Sequence, residues 1–342
     1  MIRRIDALQQ RHKPPALVFG IIKKYGDDNG GLLVSNLGHS VFVTLFPLFL
    51  VLVTILGLVA SGDAALRQHA LDAVAKQLPA IGHQLEGNVQ ALRRSSAIGL
   101  VIGLLGLAWG TTGLAENAQF TMAQVWNMPG PVRPGYWERI GRSVLFLGVL
   151  GLGVSATTLL TALSASGHNS IAIFVVLEAL AAVANIVMYF LGFRVLTPGS
   201  VPTRDLVPGA VAGGIAWTVL QALGGYIARH FVGGNTVYGV FATVLGLLAW
   251  IFLSVKVAVY AAEINVVLAR RLWPRSILQP PLTDADRIVL AAQALQNQRR
   301  DDEHVEVSFD DSPSGTGAAS RTLRTPDAPA PPAQSRPGDD SV

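Results

Sequence analysis

The residues best able to do chemistry in this 342-residue chain sit where charge is expensive. Residues 250–271, "WIFLSVKVAVYAAEINVVLARR", carry Lys256, Tyr260, Glu263 and Asn265 inside an otherwise apolar run. An ammonium and a carboxylate seven residues apart share one helix face, about 10 Å apart along the axis. Tyr260 lies four residues from one and three from the other, so its hydroxyl can reach both. A charge at the centre of a membrane helix costs about 2.5–3.5 kcal/mol on insertion scales. Two uses justify that cost: a polar lock buried against a neighbouring helix, or the lining of a wet cavity that takes a substrate.

Other polar residues are placed in the same way. "SNLGHSVFVTLFPLFLVLV" holds Asn36 and His39 three residues apart, followed by Pro47. Proline cannot donate to the carbonyl four residues back, so Pro47 is expected to kink or break its helix. Glu116 and Asn117 close one apolar run, and Glu178 and Asn185 share a face in another. Gly99, Gly103, Gly106, Gly110 and Gly113 form one continuous small face, and Gly209, Gly213, Gly224 and Gly225 a second. Such faces let membrane helices approach closely. No HExxH, phosphate-binding loop or GxSxG pattern is present. With no cysteine and seven scattered histidines, no metal site, cofactor or catalytic residue is expected. The expectation is a protein that is not an enzyme.

The elements that position these residues follow from composition. The chain is 51% hydrophobic and 14% charged, against about 25% charged for soluble domains, and its mean hydropathy is +0.44. This is the composition of a polytopic membrane protein. A span needs about 20 mostly apolar residues, and six windows qualify: 34–60, 97–115, 143–164, 171–194, 206–228 and 237–268. The fold class is therefore an all-α bundle of six transmembrane helices, with amphipathic helices outside the membrane and a disordered C-terminal tail. Lys and Arg favour the cytoplasmic side in short loops. Arg3, Arg4, Arg11, Lys13, Lys23, Lys24, Arg133, Arg139, Arg142, Arg194, Arg204, Arg270, Arg271 and Arg275 outnumber Arg67, Lys76, Arg93, Arg94 and Arg229. Both termini are thus expected inside.

Four segments result: a cytoplasmic amphipathic N-terminus (1–33), the membrane domain (34–275), a cytoplasmic helix (276–307) and the tail (308–342). In the first, residues 16–25, "ALVFGIIKKY", follow Pro14-Pro15 and are read as a short helix on the inner membrane surface. Within the second, helical periodicity split by Pro79 suggests two amphipathic helices in an outer loop, 61–96. Thr283 or Asp284 caps the helix of the third. The Pro/Ser/Gly-rich tail has no apolar periodicity with which to bury a core.

Three motifs carry a resemblance. "YGDDNGGLLVSNLGHSVFVTLFPLFLVLVTILG" resembles the first-span signature of the YihY/BrkB family. "ENAQFTMAQVWNMP" is similar to its loop ending in Trp, and "AEINVVLARRLWP" to its closing motif. The likeness covers roughly residues 15–275 and is nearest to the YhjD-like inner-membrane branch. It implies a six-helix, multi-pass protein of the bacterial cytoplasmic (inner) membrane with both termini cytoplasmic. Members once carried the label ribonuclease BN, which nothing in this chain supports. By motif, Asp27, Asp28, Asn29, Pro47, Asn117, Trp126, Glu263 and Asn265 carry over. "SNLGHS" and Lys256 depart from the family pattern.

The expected function is transport or flipping of an amphipathic or lipid-linked anionic envelope precursor. Lys256 would neutralise its phosphate or carboxylate, with hydrogen bonds from Asn36, His39 and Asn265. The expected partners are membrane lipids, such a substrate and a second copy of the chain, without nucleic acid. The alternative is a non-transporting scaffold for envelope-assembly proteins, its glycine faces used for oligomer contacts.

Overall fold

A computed structural model of the protein describes residues 6, 9–59, 96–130, 135–165, 171–231, 239–279, 281–300 and 302–309. The outer helices expected within 61–96 and the tail from 310 onward lie outside the described residues, as does Gly225 for its side-chain environment. Every regular element among the described residues is helical. They are α1 (Lys13–Asp27), α2 (Gly30–Val59), α3 (Ser96–Val125), α4 (Tyr136–Ala165), α5 (Ile171–Leu196), α6 (Val207–Phe231), α7 (Gly239–Arg270) and α8 (Asp284–Gln296). A short 3-10 turn, Thr203–Leu206, leads into α6.

The described part of each of the six apolar windows is helical, because a helix satisfies its backbone polar groups internally where no water is present. Among the described residues five stretches are long and apolar enough to cross a bilayer: Gly30–Val51, Tyr136–Leu160, Ile171–Leu196, Thr203–Gly224 and Val244–Arg270. The more polar α3 runs past Glu116 to Val125. It is nevertheless part of the same bundle. The helices pack in a closed order, α2–α3–α4–α5–α6–α7 and back to α2, with α3 also touching α7 and α5 across the ring. Outward, α3 shows Val101, Leu105 and Trp109, as α4 and α5 show Leu152, Ile171 and Val176. Apolar side chains facing out over the whole length of a bundle are what lipid selects.

Glycine decides the closest approaches. A Cβ on Gly103 would meet Val51, one on Gly106 would lie 3.1 Å from Pro47, and one on Gly110 3.2 Å from the Thr44 hydroxyl. The α3 face is thus the groove that receives α2. In α6, Gly213 fits against Tyr189 and Ala261, and Gly224 against Trp250. Pro47 does not break its helix: α2 is continuous from Gly30 to Val59. The ring sits in the glycine groove of α3, and Thr44 one turn earlier ties the helices together by donating to the Gly110 carbonyl at 3.0 Å. Helical prolines persist in membranes where neighbours support the interrupted turn.

One end of the bundle gathers the start of α2, the end of α3, the start of α4, the end of α5, the start of α6 and the end of α7. Cross-links between them fix this: Arg139 to Glu116 at 3.1 Å, Arg142 to the Thr197 carbonyl at 2.9 Å, and Gly209 N–H to Asn265 at 2.6 Å. The flanking helices α1 and α8 pack at the same end. Pro14 and Pro15 occupy the first turn of α1, where no intrahelical N–H is needed. Thr283 caps α8 in a capping box with Asp286.

Candidate functional site

Three helix termini meet at this end. α3 and α7 each finish with a non-glycine residue in the left-handed region, Asn127 (φ 46°) and Arg271 (φ 52°). In both, the following N–H reaches back to the last turn: Met128 to Ala123 and Leu272 to Val267. This is the Schellman closure, usually built on glycine. The α1–α2 turn passes through Asn29 at φ 54°. Asp27 and Asp28, the Trp126–Asn127 turn and the end of α7 are thereby held together.

α1 lies across α7 with Ala16, Gly20 and Lys24 on its buried face, four residues apart. Gly20 allows the approach, since a Cβ there would be 3.0 Å from the Leu272 carbonyl. Tyr25 stacks on Tyr260 with centroids 4.3 Å apart. The contact carries Lys24 into the protein, where its side chain is 0% exposed. Its ammonium ion-pairs with Asp28, donates to the Val125 carbonyl at 3.1 Å and lies 3.8 Å from Glu263, itself 0% exposed. A cation at the carbonyl end of α3 also complements that helix's dipole. The other Asp28 oxygen accepts from Asn127 at 3.0 Å and Gln293 at 3.3 Å. Among the described residues neither Glu263 oxygen has a hydrogen-bond partner.

A second ionic knot adjoins the first. Asp286, at the start of α8 and buried, accepts from Lys23 (2.8 Å), Arg275 (2.6 Å), the Ser276 N–H (3.0 Å) and Thr283 through its N–H (3.1 Å) and hydroxyl (2.8 Å). Burial opposes its ionisation, but these donors outweigh it and hold the carboxyl well below the usual carboxylate range. Arg275, 1% exposed, also pairs with Asp27 at 2.6 Å. Arg270 donates to the Trp126 carbonyl at 2.9 Å and lies over the buried Trp126 ring at 5.8 Å. Beside both knots opens a polar cleft of about 540 Å³ lined by Asp27, Asp28, Asn29, Gln124, Gln293 and Gln296, among others.

The expected residues divide between this end and the bundle. Asp27, Asp28, Asn29, Trp126 and Glu263 come together here. The bridge from Lys256 through Tyr260 to Glu263 does not form. Tyr260 is taken by Tyr25, Glu263 is buried beside Lys24, and Lys256 is exposed. All share one face of α7, but α1 covers only its last turns, and Lys256 stands one turn beyond that cover. Asn265 accepts from the Gly209 N–H at the start of α6. Asn185 donates to Thr218 and Gln221 on α6, and Asn117 to Ser40 on α2 at 2.5 Å. Glu116 pairs with Arg139, and Glu178 is half-buried on α5. Asn36 and His39 are exposed on α2. Among the described residues no group of His, Asp and Glu could hold a metal ion.

Sequence reasoning did not select Lys23, Lys24, Asn127, Arg275, Asp286 or Gln293 as site residues. Only Asp286 left a local trace, the Thr283-x-x-Asp286 spacing of a capping box.

The sequence profile described as Virulence factor BrkB matches residues 21–282, from the middle of α1 to the residue before the cap of α8. The chain belongs to the BrkB family. The matched segment contains every residue of both ionic knots except Thr283, Asp286 and Gln293. Relatives include a UPF0761 membrane protein of Pseudoalteromonas atlantica, 24% identical over 70% of this chain and 81% of its own length. A UPF0761 membrane protein of Pseudomonas paraeruginosa is 24% identical over 60% of the chain and 51% of its own length. A third, from Psychrobacter, is 24% identical over 72% and 47%. The BrkB chain thus spans about half the length of the latter two. No solved structure matches it.

Proposed function

We propose that this BrkB-family protein moves an amphipathic anionic molecule, such as a lipid-linked envelope precursor, across the bacterial inner membrane. The observation that carries the proposal is the exposed ammonium of Lys256. It lies within the stretch Val244–Arg270, otherwise apolar enough to span a bilayer, about 21 Å along the helix from Arg270. Gly38 of α2 packs on Phe252 of α7, so Lys256, one turn from Phe252, flanks the α2–α7 seam. Asn36 and His39 are exposed on α2 beside that seam. Lipid alone would penalise such a group, whereas an anionic head group sliding along the seam would neutralise it. Positive residues favour the cytoplasm, which supports an orientation with the α1/α8 end and its cleft inside the cell.

The scaffold alternative gains less support. The glycines it would use for oligomer contacts, Gly103, Gly106 and Gly110, are filled by α2 of the same chain.

Reconstitution into vesicles containing a fluorescent anionic lipid tests the proposal. The protein should accelerate transbilayer movement, and K256M should slow it about tenfold, the loss expected for one charge-assisted hydrogen bond. Equal rates in protein-free, wild-type and K256M vesicles would refute it.

A further inference from the structure

The inner ionic knot has one negative group more than it has buried cations. Lys24 stands between Asp28 and Glu263, all three with side chains at most 1% exposed. Its ammonium is spent on Asp28 and the Val125 carbonyl, leaving Glu263 at 3.8 Å, beyond hydrogen-bond reach, with both oxygens unpartnered. A buried, unpaired carboxylate is far costlier than a neutral acid. Among the described residues the surrounding groups offer Glu263 no second counter-charge. From α1, Tyr25 is stacked on Tyr260, and Asp27 and Asp28 are acids. From α7, Arg270 is exposed, donates to Trp126 and directs its charge at Asp28 rather than at Glu263. Asp286 consumes Lys23 and Arg275. α3 brings a backbone carbonyl, and α8 the Gln293 amide on Asp28.

We propose that the Glu263 carboxyl is a binding site for one proton, occupied in the arrangement seen here and exchanged with water through the cleft beside Asp28. Asp28 belongs to both features: it holds Lys24 on one side and lines the cleft on the other. On release the Glu263 O–H bond breaks, the proton passes to cleft water by way of Asp28, and the new carboxylate draws the Lys24 ammonium from the Val125 carbonyl. Uptake reverses each move. A small monocation such as Na⁺ would meet the same charge requirement, but a proton needs no added volume between packed helices. The site stands whether or not the seam at Lys256 carries a substrate.

Infrared difference spectroscopy of the full-length protein in lipid nanodiscs, without transport substrate, decides the matter. Spectra taken between about pH 5 and about pH 9 should show a carboxylic-acid C=O band that ¹³C-glutamate labelling shifts and E263Q abolishes entirely. The band should be the same in sodium and choline chloride. Label-shifting in unmutated protein keeps the test valid should E263Q fail to fold. Absence of any such glutamate band would overturn the proposal, leaving Glu263 a permanent anion beside Lys24. A glutamate carboxylate signal that depends on sodium would overturn it too, in favour of a metal cation.

Discussion

Removing the Asp286 carboxylate should cut the ionic tie between the start of α8 and α1, leaving the Gln293 contacts to Asp27 and Asp28. In D286A the Arg275 guanidinium, 1% exposed, keeps only Asp27, and the half-free Lys23 keeps only the Ser276 carbonyl at 2.6 Å. The Ser276 N–H and the Thr283 hydroxyl lose their acceptor as well. Deleting one partner of a buried pair costs about 3–5 kcal/mol. The Lys23 share is smaller, because its side chain is 18% exposed and water screens it. The expected loss is therefore about 3–5 kcal/mol, on the order of 10 °C in the thermal unfolding of detergent-solubilised protein. D286N keeps one acceptor oxygen and should lose roughly half as much. The pH dependence follows in sign. The folded carboxyl titrates below its unfolded value, so its stabilisation is complete above about pH 4 and is lost as pH falls further. Wild type and D286N should therefore converge in acid and keep a constant gap between about pH 5 and about pH 8. D286A within about 0.5 kcal/mol of wild type, or a gap that widens in acid, would refute this account of the knot.

Other substitutions separate interior packing from surface charge. G209A places a methyl group on the Ala261 carbonyl and the Asn265 amide. It should destabilise by about 1–3 kcal/mol and lower the yield of monodisperse protein in size-exclusion chromatography. N265A leaves the Gly209 N–H without its 2.6 Å acceptor, and thermal unfolding should register about 1–3 kcal/mol. E116Q breaks only a half-exposed pair with Arg139, so its midpoint should stay within about 1 kcal/mol of wild type.

Hydropathy is a local property, which is why the six long helices could be located, although α3 runs on to Val125 and α4 begins at Tyr136, both well outside their windows. The start of α1 was legible from Pro14-Pro15 and the cap of α8 from Thr283. Pairing is not local. Lys256 and Glu263 share a face, and spacing alone makes them partners, yet α1 buries one and stops short of the other. Lys24 looks like one more basic flank until Gly20 lets α1 settle on Leu272 and carries the ammonium inside. The ends of α3 and α7 use Asn127 and Arg271 where glycine would have announced the turn. Pro47 leaves α2 unbroken, its ring housed in the α3 groove. The motif segments around Asp28, Trp126 and Glu263 meet through tertiary contacts that no single window contains.

The seat of α1 on the end of α7 underlies both ionic knots, and one cross-link tests it. A Cβ on Gly20 would lie 3.5 Å from the Trp273 Cβ, within disulfide range, and the chain has no cysteine of its own. G20C/W273C protein in native membranes, treated with mild oxidant, should lose both thiols to an intramolecular disulfide, scored by maleimide-polymer gel shift. Each single-cysteine variant should stay fully labelled. Two free thiols in the folded double variant after oxidation would contradict the account.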